Sequence, residues 1–373
     1  MKKLATASSV FLLLSCTNGS VSGEMRRYPS SLVLSERFEK KLLNEEENID
    51  RIREGFLFVQ QKHANSDGKL LRGTHSKGMC LNGELEVSDL SGLSPEIAAR
   101  LRKGMFSLPG SYPTLVRFAN AAGSIQADQA KDVRAVSFQV HGIPSTISNS
   151  QGRMDFAMND SSTFPLNDSK VFADLMVIEK EGKFAGGMKV GVDGLKGVAK
   201  ALYIGFLQQR APYSTFQKMT YWCDVPFALG ESEAVKYSLV PCEKNKDKDV
   251  GEFAHDPNAM FNELRRTLKE DETCFYFRVQ LLEAAKMHDS DGQQHSEQEW
   301  VESAAMEWSE KEAPFYTVGK LKLAGGEALS SEICEQQKID VITNNNNNHR
   351  GLGSINRART AAEAANAQQR PGR

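Results

Sequence analysis

The chain has 373 residues, of which 40% are hydrophobic and 25% charged, a composition typical of globular proteins and not of disordered ones. Its formal net charge of −2 creates no basic field that would attract nucleic acid, because the lysines and arginines are interspersed with acidic residues. We therefore expect no nucleic-acid partner, and the length allows one large core or two modest ones.

The first residues have the pattern of a bacterial secretion signal. Lys2 and Lys3 precede a short apolar run from Val10 to Leu14, which is shorter than the roughly 20 apolar residues that span a bilayer. The segment Leu13–Cys16 resembles a lipobox, whose cysteine is acylated and becomes the mature N-terminus. This pattern predicts an exported protein of the bacterial periplasm or cell envelope, tethered to a membrane by a lipid on Cys16. The alternative is a plain cleaved signal that contains a cysteine.

The next two segments predict a tether and a helix. Residues 17–35 are rich in serine and glycine, which is typical of a flexible tether. From Glu36 to His63 charged residues are dense and apolar side chains recur at roughly helical spacing, which predicts a long surface helix. No segment after residue 36 has the composition of a linker, so we expect one domain over residues 36–373.

Short apolar segments, separated by Gly, Pro, Asn or Asp, follow the helix and predict the strands of a sheet or barrel. They are Cys80–Val87, Thr114–Asn120, Val133–Val140, Met154–Met158, Phe275–Leu282 and Phe315–Leu323. Helix starts are indicated at Ser94–Pro95, at Asp256–Pro257 and at Ser354, the last for an alanine-rich helix that runs to about residue 369. The class is β-rich with peripheral helices.

Five cysteines follow Cys16 at wide spacing, and their number is odd. They are Cys80, Cys223, Cys242, Cys274 and Cys334. An oxidising compartment permits disulfides, but no pairing can be read from one sequence. No CxxC pair indicates a metal or redox site, so we expect mostly buried thiols with one bridge at most.

Two simple signals for a ligand are weak. The glycine-rich segment Gly186–Gly194 lacks the GxGxxG spacing of a nucleotide site. His288, Asp289, Asp291 and His295 lie in a polar stretch without a second pair of ligands, which favours a solvated loop over a metal site.

Five separated segments in a fixed order carry the strongest signal. They are Arg72–Gly78, Pro113–Asn120, Asp132–Phe138, Asp155–Asn159 leading to Phe164 and Phe172, and His349–Arg359. The set resembles the catalase-like haem proteins. The similarity covers most of residues 70–175 and returns at 212–242, 257–282 and 349–370, so that it extends over most of the chain after the tether.

The resemblance implies an α+β fold, a closed antiparallel β-barrel of the catalase type with peripheral helices and a buried haem. The chain is shorter than true catalases, and it looks more like the small barrel-only branch of allene oxide synthases and catalase-related peroxidases. This implies a peroxidase whose small-molecule substrate is an organic or lipid hydroperoxide, or residual hydrogen peroxide.

Three residues are implied on the distal side of the haem. His75 would be the base that takes a proton from a hydroperoxide and returns it to the departing oxygen, because an imidazole titrates near neutrality. Asn159 would donate a hydrogen bond to the bound oxygen. Thr74, which matches the small branch, has a hydroxyl that can hydrogen-bond a distal oxygen, and this points to organic hydroperoxides.

Other positions are implied to hold the haem itself. Phe172 would stack on the porphyrin, and Arg72 and Arg117 would neutralise the propionates as planar charged donors. Ala119 replaces a serine that usually helps to orient the histidine. Each of these residues, taken alone, also fits an ordinary structural role, and only their order makes the set specific.

The proximal side departs from the family. There the iron is held by a tyrosinate four residues after an arginine; here the arginine is Arg359 and the fourth residue on is Glu363. No tyrosine follows Tyr316. Glu363 can ligate ferric iron as a carboxylate more weakly than a phenolate, or it can be one charge on a solvated helix face.

This departure keeps two alternatives open beside a haem peroxidase. One is a haem-free or non-catalytic barrel that serves as a binding or structural module. The other is a haem carrier or sensor without turnover.

Overall fold

The computed structural model describes residues 32–63, 72–148, 152–209, 214–245, 248–270, 272–323, 325–342 and 348–369. The predicted signal segment, the lipobox with Cys16 and residues 17–31 of the predicted tether lie outside the described residues. Their assignments stay predictions.

The predicted barrel is present. Its strands are, in chain order, β1 (Gly78–Val87), β2 (Gly110–Asn120), β3 (Arg134–His141), β4 (Arg153–Asn159), β5 (Tyr221–Trp222), β6 (Phe227–Leu229), β7 (Glu233–Pro241), β8 (Thr273–Leu281), β9 (Phe315–Leu323) and β10 (Asn348–Gly351). Eight of them pair antiparallel in a closed ring, β1-β2-β3-β4-β5-β7-β8-β9 and back to β1, while β6 and β10 extend the sheet beside β7. The six segments predicted as strands all belong to this ring, with ends that differ by up to four residues.

A row of apolar side chains crosses the barrel interior from strand to strand. Leu81 pairs with Val116, Val116 with Phe138, and Phe138 with Phe156. All four are at most 1% exposed, and the two phenylalanine rings stack at 4.8 Å. These side chains fill the interior of the barrel, which is therefore a packed core. Burial of each such side chain stabilises the fold by about 1.5–3 kcal/mol.

Eight helices accompany the barrel in the described part of the chain. They are α1 (Glu45–Lys62), α2 (Pro95–Leu101), α3 (Ser169–Glu181), α4 (Lys183–Gln208), α5 (Ala259–Glu270), α6 (Glu297–Glu302), α7 (Ser331–Gln336) and α8 (Gly353–Gln368). Helices α1, α3 and α8 contact one another through a second apolar cluster outside the barrel, which includes Ile52, Phe172 and Ala358. No element was expected from the sequence over residues 169–208, where α3 and α4 lie.

The predicted surface helix over 36–63 is shorter and more buried than expected. It begins at Glu45, because Asn44 adopts a left-handed conformation with φ of 57° and separates the helix from the preceding turn. Ile49 and Ile52 face α3 and α8 and are almost fully buried. The charge pattern indicated the helix but not its buried face.

The predicted helix starts are right in one case of three. The hydroxyl of Ser94 accepts a hydrogen bond from the Ile97 amide and caps α2 as expected. Helix α5 begins at Ala259 and not at Pro257. Ser354 lies inside α8 and accepts a hydrogen bond from the Ser169 amide, so it joins two helices instead of capping one.

A buried ionic cluster fixes α8 against the start of the described chain. The guanidinium of Arg357 donates to Glu39, Glu45 and Glu302 at 2.6–3.3 Å, and Arg350 donates to Glu39 at 2.6 Å. Burial alone would raise the pKa of Glu39, but the arginines hold it below its ordinary value. Because ions so far from water are stable only when they are paired, the cluster determines where α8 sits.

Two disulfides are present, Cys80–Cys334 and Cys242–Cys274, and Cys223 is a buried free thiol. The expectation of one bridge at most is therefore wrong. Cys80 and Cys334 are 254 residues apart, a separation that leaves no local signal, and their bridge ties α7 to β1.

Candidate functional site

One cavity, of about 540 Å³, lies between the barrel wall and α8. Its size is in the range typical of pockets for cofactors and other small molecules. The structure brings together here all the residues predicted for the haem site except Phe172; they are Arg72, Thr74, His75, Arg117, Asn159, Arg359 and Glu363. Distant parts of the chain thus line one space.

The loop that carries Thr74 and His75 is held in an unusual conformation. His75 has a φ of 56°, a region that non-glycine residues rarely adopt and that costs roughly 1–3 kcal/mol. Its amide donates to the carbonyl of Ala121 at 3.0 Å, and its own carbonyl accepts from Arg117 at 2.7 Å. The amide of Gly73 donates to Asn366 on α8. Strain maintained by this many bonds is typical of a functional position.

The imidazole of His75 is neutral at physiological pH. Burial, together with the positive charges of Arg117, Arg359 and Arg72, lowers its pKa to about 3, while a hydrogen bond with Asn159 acts in the opposite direction. The side chain is half-buried and faces the cavity. It can therefore accept a proton inside the cavity, and it returns that proton readily because the cation is unfavourable there.

Asn159, at the end of β4, belongs to a chain of polar contacts that was not predicted from the sequence. Its amide nitrogen donates to one carboxylate oxygen of Asp224 at 2.7 Å, and Arg359 donates to the other oxygen at 3.1 Å. Asp224 is 1% exposed. The one signal for it in the sequence is a charge within the otherwise apolar segment Tyr221–Leu229.

Two arginines lie close together on the other side of His75. Burial and the charge of Arg117 lower the pKa of Arg72 to about 9, although Glu335 acts against this. Arg72 donates to the carbonyls of Cys334 and Gln337 at 3.0 and 2.9 Å. An anion placed between two buried cations reduces the repulsion between them and stabilises their charged forms. This part of the cavity therefore favours a ligand with negative charge.

Arg117 reaches the cavity over Gly78. A β-carbon at position 78 would lie 2.3 Å from a guanidinium nitrogen of Arg117. Glycine is therefore required in Arg72–Gly78 for the close approach of this side chain.

Helix α8 contributes Arg359 and Glu363 from one of its faces. Burial disfavours the charge on Arg359, but Asp224 and Glu363 raise its pKa above the ordinary value. No tyrosine is among the residues that line the cavity in the described chain. Glu363 faces the cavity, so it is not simply a charge on a solvated face.

Phe172 does not reach the cavity, and Phe56 of α1 does. The two rings make an edge-to-face contact with centroids 5.6 Å apart, and Phe172 is buried among α1, α3 and α8. The aromatic surface offered to a ligand is therefore that of Phe56, a position without a sequence motif.

Residues 338–340 form one edge of the cavity and are fixed to the barrel by hydrogen bonds. The amide of Asp340 donates to Asp155 at 2.8 Å, and Gln139 donates to the carbonyl of Lys338 at 2.7 Å. Burial raises the pKa of Asp155 to about 6 in spite of its ion pair with Arg153. The acid at the start of Asp155–Asn159 thus shapes the cavity without facing it.

The other titratable groups of the described chain do not form a metal site, since no three acidic, histidine or cysteine side chains converge there. His295 pairs with Asp289 at 2.7 Å on the surface, in agreement with the solvated loop expected for that stretch. His349 is buried inside the barrel, where its ring accepts from the Met105 amide at 3.2 Å and contacts the Tyr237 hydroxyl.

Solved structures with the same architecture are catalases. A bacterial catalase matches at a TM-score of 0.56 and 19% identity over 96% of this chain and 68% of that one. Catalase A from Saccharomyces cerevisiae gives 0.55 and 16% over 90% and 66%, and a fungal catalase gives 0.52 and 17% over 73% and 53%. The chain has the catalase fold.

These catalases are longer, and the chain spans 53–68% of their lengths. Identities below 20% establish the fold and not the activity. No protein-family model matches the chain, and no curated protein does.

Proposed function

We propose that the chain binds haem in the cavity beside α8 and acts on peroxides. The observation that carries the proposal is the convergence on one cavity of about 540 Å³ of seven residues from four separate segments, all of them predicted from the sequence. A chance resemblance would leave them dispersed over the barrel, since they come from segments up to about 290 residues apart.

The residues present fit a haem. Arg72 and Arg117 would hold the propionates, because two carboxylates relieve the repulsion between these buried guanidinium groups. The small apolar side chains of Ala119, Ala135 and Ala157 on the barrel wall leave room for the flat ring, and Phe56 offers an aromatic edge. Glu363 would stand at the iron on the α8 side as a carboxylate.

When bound, haem supplies a redox-active iron at which the peroxide bond is activated. The chain's own residues manage the proton. His75 takes it from the hydroperoxide hydroxyl and gives it to the oxygen that departs, and the unfavourable imidazolium makes the second transfer easy. Asp224 holds the Asn159 amide in a fixed orientation beside His75, and Thr74 offers a hydroxyl to the same space.

The finer part of the proposal is the substrate and the branch. We infer an organic or lipid hydroperoxide, as in the small barrel-only branch, with hydrogen peroxide as a poorer substrate. The small apolar side chains of the barrel wall and the Thr74 hydroxyl beside His75 support this choice. A comparison of turnover with a fatty-acid hydroperoxide and with hydrogen peroxide tests it, and faster turnover of hydrogen peroxide would contradict it.

Haem titration of the purified chain tests the proposal. A saturable Soret band with one haem and one iron per chain is expected. Glu363→Tyr should shift that band and raise peroxidase activity, because a phenolate held by Arg359 is the stronger ligand; Glu363→Gln should weaken binding. The absence of a Soret band in all three proteins would refute haem binding and would leave the binding-module alternative.

The location of the protein is a separate proposal. We infer export to the bacterial cell envelope and acylation of Cys16, from the lipobox-like pattern. Cys16→Ala should move the chain from the membrane fraction to the soluble fraction, and an unchanged distribution would count against a lipid at this residue.

A further inference from the structure

Helix α4, which has a kink at Gly191 (φ 70°, ψ −177°), exposes large apolar side chains to solvent on both sides of that kink. Phe184 and Phe206 are 80% and 64% exposed. The outer face of α4, as we call it, consists of Phe184, Met188, Val192, Leu195, Leu202, Tyr203, Phe206 and Leu207. Spacings of three, four and seven residues within Val192–Leu207 place six of these side chains on one side of the segment after the kink, so these six form one patch. Phe184 and Met188 are exposed on the segment before the kink.

The opposite side of α4 is apolar as well, and helix α3 covers it. It packs on α3 through glycines: a β-carbon at Gly186 would lie 2.6 Å from the Ile178 α-carbon, and one at Gly194 would lie 2.8 Å from Asp174. A helix on a protein surface normally has a polar outer side. Because α3 occupies the glycine side of α4, the large apolar residues opposite are left uncovered by the described parts of the chain.

Lysines border the outer face. Helix α4 has four lysines and one aspartate, a formal charge of +3 in a chain whose net charge is −2. Lys189 pairs with Glu181, and Lys196 lies 3.9 Å from Asp193, but all of these lysines are exposed. Lys131 adds another cation, 5.9 Å from the Phe206 ring.

We propose that the outer face of α4 docks on an anionic membrane surface. The apolar side chains enter the boundary of the acyl chains, and the lysines beside them meet lipid phosphates, as in interfacial amphipathic helices. No helix in the described parts of the chain is long and apolar enough to cross a bilayer. In the proposed arrangement α4 lies along the membrane surface.

Charge favours a lipid surface over a second copy of the chain. In a two-fold dimer the same patch meets itself, so each +3 helix would face another one. An anionic bilayer attracts the same lysines and accepts the same apolar side chains.

Binding to vesicles tests this proposal, and it needs no haem, so its result is independent of the proposed function. Every protein is the full chain with Cys16→Ser, which prevents acylation at this position. Vesicles of phosphatidylethanolamine and phosphatidylglycerol are compared with vesicles of phosphatidylcholine by co-sedimentation. We expect binding to the anionic vesicles to be tighter by about tenfold or more, and to weaken as salt rises.

The outer-face variant contains Phe184→Ser, Leu202→Ser and Phe206→Ser. Its matched control contains Leu43→Ser, Tyr276→Ser and Ile333→Ser, which are exposed apolar residues of other elements. We expect the outer-face variant to lose at least tenfold in affinity for anionic vesicles, and the control to keep it. Lys183→Glu with Lys200→Glu should abolish the preference for anionic lipid.

Equal binding by the outer-face variant and the control, or no preference for anionic lipid in the parent chain, would overturn the proposal. So would self-association of the parent chain, in sedimentation velocity, that the outer-face variant abolishes without any change in vesicle binding. That result would assign the patch to a second copy.

Discussion

At the scale of single residues, the cavity is defined by charge. Three arginines surround His75, and Asp224 and Glu363 are the acids nearest to Arg359. Burial and the positive charges of the arginines keep the imidazole neutral, and the same charges favour an anionic ligand. Proton transfer and ligand binding are thus coupled, because a bound anion would make the imidazolium less unfavourable.

His75 should therefore not titrate near neutrality in the chain without a bound anion. Its folded-state pKa of about 3 lies below the ordinary 6.5, so the unfolded state binds the proton more tightly. Stability from this group is complete above pH 6.5 and is lost as the pH falls from 6.5 to 3. NMR should find the His75 ring signal, assigned with His75→Gln, unchanged from about pH 8 to about pH 5. A midpoint near the ordinary 6.5 would contradict a histidine depressed by burial and by the three arginines.

At the scale of elements, the strands could be predicted from the sequence and much of the helical layer could not. Strands such as Phe315–Leu323 alternate or concentrate apolar residues between turn signals, which is a local pattern. Helix α4 is apolar on both sides, so periodicity indicates no inner face. The cap expected at Ser354 is absent because α8 begins one residue earlier, at Gly353. The Ser354 hydroxyl instead accepts a hydrogen bond from the Ser169 amide of α3.

Some residues of the site could likewise be predicted from the sequence, and others could not. His75 and Asn159 could be found because each belongs to a motif, but Asp224 and Phe56 could not. Their positions depend on contacts with residues far away in the chain: Asp224 meets Arg359 from 135 residues away. The same holds for Phe172, whose displacement from the cavity depends on the packing of α1 against α3.

The ionic cluster around Arg357 predicts a large loss on substitution. Arg357→Met removes the shared partner of Glu39, Glu45 and Glu302 and leaves buried carboxylates, which should lower the free energy of unfolding by about 3–5 kcal/mol. Urea denaturation measures it, with Arg51→Met on the exposed face of α1 as the control. The loss should shrink at about pH 4, where carboxyls without a cation become protonated; a loss independent of pH would point to packing instead.

At the scale of the whole molecule, a barrel with a solid core holds the ligand cavity on its outside. One wall is the loop before β1 together with β2–β4, and the other wall is α8. The walls are joined by the bond of Gly73 to Asn366, and α7 is fixed to the first wall by the bonds of Arg72 to Cys334 and Gln337 and by the Cys80–Cys334 bridge. The cavity therefore depends on tertiary contacts more than the barrel does.

The bridge between Cys80 and Cys334 should stabilise the cavity more than the rest of the fold. Cys80→Ala with Cys334→Ala should lower the free energy of unfolding by about 2–4 kcal/mol, and it should weaken haem retention because Arg72 loses rigid acceptors. Thermal unfolding and haem dissociation measure both effects. Cys223→Ala, at the free thiol, is the matched control, and equal haem dissociation from both variants would refute the link.

Arg357 and Glu39 are 318 residues apart in the sequence. Their contact can therefore form only after almost the whole chain has been synthesised. During synthesis or passage across a membrane, strands β1 to β9 emerge before α8 exists. Glu39 and Glu45 stay without their cation until the end of the chain arrives. A half-made chain can thus close much of its barrel but lacks the α8 wall of the cavity, so a ligand that needs both walls can be bound only after α8 has been made.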